Sequence, residues 1–151
     1  MKTVALELQQ IVNLFADRLT HIPDAEFSAK PLPHKWSKKE VLGHLIDSGH
    51  NNLRRFICGQ YESIPPQILY DQNFWVAVNN YQASKKEDVI ILWKLMNERI
   101  CGVLLSMPED KYTLECNTGR DIAELHSLEW LAVDYVRHLK HHLNQIIPGS
   151  F

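Results

Sequence analysis

Apolar residues recur every three or four positions along four long stretches of the chain. Between Thr3 and Leu19, the residues Val4, Leu8, Ile11, Val12, Phe15 and Leu19 draw one stripe, the spacing of a helix with one buried face. "HIPDAEFSAKPLPHKW" follows with three prolines and reads as a connector with room for one short turn. Ser37 and Glu40 in "SKKE" carry the capping-box signature, so a second helix opens there, reaches about Cys58 and ends near Gly59. "ESIPPQILYD" is a loop, and "QNFWVAVNNYQ" a short helix. A second capping box, Ser84 with Glu87, opens the helix containing "VIILWKLMNERICGVLLSM", which Pro108 closes. "EDKYTLECNTGRDIAEL" mixes Gly, Asn and Asp with no steady period and reads as a long irregular loop. Ser127 caps the last helix, which ends at Pro148. Four principal helices with long connections predict an all-α four-helix bundle, one domain over residues 1–151.

Composition changes this picture little. The chain has 151 residues, 45% of them hydrophobic and 23% charged, with a net charge of -2. That is an ordinary globular balance, with no basic footprint for nucleic acid. No apolar run reaches the roughly 20 residues that span a bilayer. Glu7, Gln9, Gln10 and Asn13 interrupt the first helix, so it does not resemble a signal sequence. Cys58, Cys101 and Cys116 are odd in number, widely spaced and in no C-x-x-C pair. Neither a disulfide framework nor a thiolate metal site follows, and they read as small buried hydrophobes. The setting expected is the cytoplasm.

Candidate chemistry gathers near the end, in "YVRHLKHHLNQI", where His138, His141 and His142 crowd together. At about 100° of rotation per residue, Leu131, Ala132, Tyr135, Leu139, Leu143 and Ile146 form the apolar stripe of the last helix. His142 falls inside that stripe and His138 just beyond its edge. His141 falls with Asp134 and Arg137 on the polar side. His138 and His142 are therefore an i,i+4 pair on one face, neighbours able to bind one divalent metal through neutral imidazoles. The bland alternative is two histidines at the rim of a core, satisfied by carbonyls or water.

A third ligand separates these readings, because a catalytic site of this type keeps three protein ligands and an open position. The second helix offers His44 and His50, on opposite edges of a stripe through Val41, Leu42, Leu45, Ile46, Leu53, Phe56 and Ile57. They are separated by about 240° of rotation, so one site does not use both. Rotation alone does not choose between them, and His50 lies nominally closer to the stripe.

"KWSKKEVLGHLIDS", followed far downstream by "RHLKHHLNQI", resembles the DinB-like superfamily, which includes the YfiT-like bacillithiol-transferase group. Trp-Ser before the second helix, then His-Leu-x-Asp, then His-x-x-His-His make up the shared pattern, and "YDQNFWVAVNNYQ" looks like the YfiT-like branch. The resemblance covers nearly the whole chain. It implies that His44, His138 and His142 are metal ligands, that His141 lies outside them, and that the protein is a homodimer. His50 has a parallel in some YfiT-like sequences, which leaves it in question. The ion implied is divalent: nickel, zinc or manganese.

Other residues carry weaker readings. Asp47, three positions after His44, reads first as a solvated helix charge and second as a carboxylate orienting an imidazole. Arg54 and Arg55 read as a surface pair, or as a forked anion binder. Trp36, Trp75, Trp93 and Trp130 are core or interface fillers, and His21, His34 and His126 join no constellation. The resemblance implies a metal-dependent transferase in which a low-molecular-weight thiol, or metal-activated water, attacks a small electrophilic substrate. The alternative is a non-catalytic metal-binding bundle with a structural or stress-related role.

Overall fold

Two serines set the frame for the bundle. The Ser37 hydroxyl accepts from the Glu40 backbone N–H at 3.2 Å, while the Glu40 carboxylate accepts from the Ser37 N–H at 2.8 Å. This closed capping box starts α3, Lys38–Cys58. The Ser127 hydroxyl accepts from the Trp130 N–H and starts α6, Leu128–Ile146. In the computed structural model, which describes residues 1–151, the other elements are α1 (Lys2–Thr20), α2 (Asp24–Ser28), α4 (Gln72–Asn79) and α5 (Lys86–Ser106). The long helices α1, α3, α5 and α6 pack in a ring: α1 on α5, α5 on α3, α3 on α6 and α6 on α1. This is the four-helix bundle expected, with α2 and α4 in its long connections. No helix is long and apolar enough to cross a membrane.

Two local expectations fail. Ser84 does not cap α5, whose first turn follows Lys85 without any side-chain cap. Ser84 instead closes a 3-10 turn at Tyr81–Ala83, its N–H donating to the Tyr81 carbonyl at 3.1 Å. Its own carbonyl accepts from the buried Lys39 ammonium at 3.0 Å. The segment expected to be one irregular loop contains β1 (Glu115–Asn117) and the first residue of β2 (Leu125–Ser127), the two strands being paired antiparallel. The Asn117 side-chain oxygen accepts from the N–H groups of Gly119 and Glu124, both at 3.0 Å, and so builds the tight connection that residue patterning does not register.

One cluster of 30 buried apolar residues runs through the ring, from Ala5 and Leu8 on α1 to Leu143 and Ile146 on α6. Burial at roughly 1.5–3 kcal/mol per large side chain makes this cluster the main support of the fold. α3 lies at its centre and is buried without interruption from Lys39 to Gly49. The α5 helix differs, because Ile91, Leu92 and Leu95 are exposed on its outer side.

Two glycines should respond in opposite ways to alanine. A methyl group at Gly43 would overlap the Tyr81 ring, whereas one at Gly102 meets nothing. Gly102→Ala should stabilise the protein by up to about 1 kcal/mol through helix propensity. Gly43→Ala should destabilise it by about 1–3 kcal/mol through overpacking. Urea unfolding of both variants measures the two signs.

Candidate metal centre

The α3–α6 seam brings three imidazoles together. His44 is fully buried on α3, and its Nε2 lies 3.3 Å from Nε2 of His138. His142, one turn after His138, places its Nε2 3.1 Å from that same atom. One ligand nitrogen from each ring lies within 4.8 Å of the others. Two nitrogens at tetrahedral angles around an ion, each at zinc–imidazole distance, stand about 3.3 Å apart. The observed contacts match that spacing.

Electrostatics suit the same use. Burial, reinforced by the other two imidazoles, pushes His44 down to about 3. Burial and His142 push His138 down to about 4. His142 is lowered as well, first by burial. All three rings are therefore neutral near pH 7, the state that ligates metal. His142 Nδ1 lies 3.0 Å from the Gln145 side-chain oxygen, so the ring donates there and keeps its Nε2 lone pair for the cluster. The amide end of Gln145 donates to His141 Nε2 at 3.0 Å. His138 Nε2 faces two other ring nitrogens, and a single proton cannot satisfy both contacts. Three lone pairs turned on one point are stable around a cation, so the donor set fits a divalent ion.

The rotation reading of α6 holds: His138 and His142 face the cluster, and His141 is exposed. On α3 it is His44 that packs against the α6 pair, whereas His50 is exposed. Asp47 is not the solvated charge preferred above. It is 2% exposed, and its Oδ1 accepts from the Tyr81 hydroxyl at 2.7 Å and from Asn79 at 2.9 Å. Asp47 thus ties α3, one turn beyond His44, to α4 and the turn after it. Arg55 is no surface partner of Arg54: it donates to the Ile68 carbonyl at 2.6 Å and to Asn52, clasping the loop after α3. Cys101 and Cys116 are buried as expected, and burial raises both thiols to about 11. Cys58 is only half-buried. Trp93 is a core residue and Trp130 is 45% exposed.

A cleft of about 910 Å³ opens beside the cluster, with His142, Gln145 and Trp36 in its wall. Trp36 is more than a filler, because its ring lies 5.1 Å from that of His44 while it lines the cleft. His34, placed in no constellation above, lines the same cleft together with Lys30, Lys35 and Lys38. Sequence reasoning missed Gln145 too. Its signal was present: a polar residue three positions after His142 lies on the same helix face.

The DinB superfamily profile matches residues 7–146. The chain belongs to the DinB superfamily. It is similar to YfiT of Bacillus subtilis strain 168, with 23% identity over 150 residues, covering 99% of this chain and 80% of YfiT. The solved structure of YfiT, described as a probable metal-dependent hydrolase with an unusual four-helix bundle topology, superposes with a TM-score of 0.83. That match has 20% identity and covers 96% of this chain and 83% of the other. A mycothiol-dependent maleylpyruvate isomerase superposes with a TM-score of 0.75 at 13% identity, over 95% of this chain and 60% of that one. The shared fold is the YfiT bundle.

Asp47 generates a pH test. Burial raises its carboxyl to about 6 from 3.8, against the pull of Tyr81, His50 and Asn79. A raised folded-state value favours the protonated form, so this contribution to stability is complete below about pH 4 and lost as pH rises through 6. Asp47→Asn keeps an oxygen for Tyr81 and Asn79 without the charge. Its stability relative to wild type should therefore grow between pH 4 and pH 7, as read from urea midpoints at each pH. Asp47→Leu should cost about 1–3 kcal/mol at every pH, because it orphans the buried Tyr81 hydroxyl.

Proposed function

We propose that His44, His138 and His142 together hold one divalent ion (nickel, zinc or manganese) and that the protein is a metal-dependent enzyme. In this reading a low-molecular-weight thiol, or water, is transferred to a small electrophilic substrate bound in the cleft. The observation that carries it is the convergence of three neutral imidazole nitrogens, one of them on His142 in the wall of an open cleft of about 910 Å³. When bound, the ion supplies a positive charge that lowers the pKa of a thiol or water and makes it a nucleophile near neutral pH.

The chain's residues do the rest. Gln145 holds the His142 tautomer, and the Trp36 ring lies beside His44 while it lines the cleft. The cleft leaves the His142 side of the cluster reachable by a small molecule. The buried thiols Cys101 and Cys116, raised to about 11, are poor nucleophiles, which favours an exogenous one. The relatives lend support from two directions: YfiT is described as a probable metal-dependent hydrolase, and the isomerase of the same fold is mycothiol-dependent.

Residues 1–151 act as one domain in this reading, and the resemblance adds a homodimer. The exposed Ile91, Leu92 and Leu95 of α5 offer apolar surface for such pairing. The second reading, a metal that only fastens α3 to α6, draws on the same ligands but has no use for the cleft.

Two measurements test the proposal. His138→Ala and His142→Ala should lower metal content strongly, while His141→Ala, outside the cluster, should stay near wild type. Elemental analysis of the purified variants decides, and equal losses in all three would refute the ligand set. Stripping the ion with a chelator should leave a helical protein that still melts cooperatively, because the apolar cluster carries the fold. Thiol transfer to a panel of electrophiles should be lost. Collapse of the helical signal on chelation, with no exchange of thiol or water at the metal in the loaded protein, would favour the fastening role.

A further inference from the structure

The connector between α2 and α3, with the first residue of α3, places three lysines along the cleft. Lys30, Lys35 and Lys38 all line it, against one lining carboxylate, Glu26. Lys38 is paired with Glu26 at 2.6 Å. Lys30 is paired at 2.8 Å with Glu40, which the capping box holds in place. Lys35 is exposed and forms no ion pair with any carboxylate of the chain. The cleft therefore carries a net positive charge, although the whole chain is at -2. A concave site lined by one sign of charge concentrates ligands of the opposite sign.

Two details make this more than a solvated surface. The pairing partners of Lys30 and Lys38 are already committed, so the uncommitted cation is the one at Lys35. His142 lines the same cleft, so a molecule occupying the cleft has both Lys35 and one member of the imidazole cluster among its neighbours.

We propose that the cleft selects a small molecule bearing a carboxylate, held by Lys35 while its reactive end lies at the histidine cluster. This rests on the metal reading above and names the class of molecule that site accepts. The carboxylate sits on the thiol or on the electrophile, and the recognition chemistry is the same for both.

The experiment uses the full chain loaded with cobalt(II). 6-Mercaptohexanoate and its neutral counterpart, 6-mercaptohexan-1-ol, are titrated at low salt, with thiol binding followed by charge-transfer absorption. A second arm titrates hexanoate into protein saturated with the neutral thiol and follows heat. A charge-assisted contact predicts about a tenfold preference for the carboxylate, fading as salt rises. Lys35→Gln should reduce that preference to about twofold or less, whereas Lys85→Gln, an exposed lysine outside the cleft, should retain it. A Lys35-dependent preference in the first arm assigns the carboxylate to the thiol. Lys35-dependent hexanoate binding in the second arm assigns it to the electrophile. Cobalt uptake with no preference in either arm, or a preference untouched by Lys35→Gln, overturns the inference and leaves the metal reading standing. Failure to take up cobalt overturns both.

Discussion

A neutral imidazole packed without exposure into the α3–α6 seam is the constraint on which the site depends. His44 has no solvent to share its charge, so its ring is tolerated only as a neutral base, and its Nδ1 is buried without a hydrogen-bond partner. Its Nε2 is directed at His138, and the rest of the local structure keeps it there. The capping box fixes where α3 begins. Asp47, bonded to Tyr81 and Asn79, resists rotation of the next turn. Gly43 allows the Tyr81 ring to approach the helix backbone. A slip of α3 by one residue would turn His44 by about 100° and dissolve the cluster.

That dependence explains what could be read in advance. α6 is half buried and half wet, so a helical wheel separates His138 and His142 from His141 cleanly. α3 is the central helix, covered by α5, α6, α2 and α4, and a wheel built on one apolar face fails there. Ser48, Asn51 and Asn52 are buried beside Asp47, because on an enclosed helix polar residues bond to each other and to backbone instead of marking the wet side. Asn51 and Asn52, for example, donate to the carbonyls of Asp47 and Ser48. His50 lay nominally closer to the apolar stripe for the same reason, and only the family pattern favoured His44.

The other misses have a common origin in contacts between segments distant in sequence. Ser84 and Glu87 have the spacing of a capping box, but the Ser84 backbone is drawn into the preceding turn and toward Lys39 on α3. The β1–β2 pair is three residues per strand and gains its support from neighbours. Asn117 pairs also with Gln67, and the Leu128 N–H donates to the Leu114 carbonyl at 2.8 Å. No local pattern announces such pairing. The cleft lysines were equally invisible, since a proline-rich connector acquires meaning only once it is seen to lie across His142.

On the proposed reading, these same side chains also bear on the choice between thiol and water. Water attack is helped by a nearby base that removes its proton. The cleft's lining carboxylate, Glu26, is held by Lys38, and Asp47 is not among the residues that line the cleft. Three neutral imidazoles would leave a bound ion its full charge, the condition under which a coordinating thiol gives up its proton. A thiol, whose free pKa is near 8.5, asks far less of the site than water at 15.7. A cleft with a surplus of lysines and its carboxylate committed is therefore better suited to a nucleophile that the metal alone can activate, and the thiol fits that requirement more closely than water does.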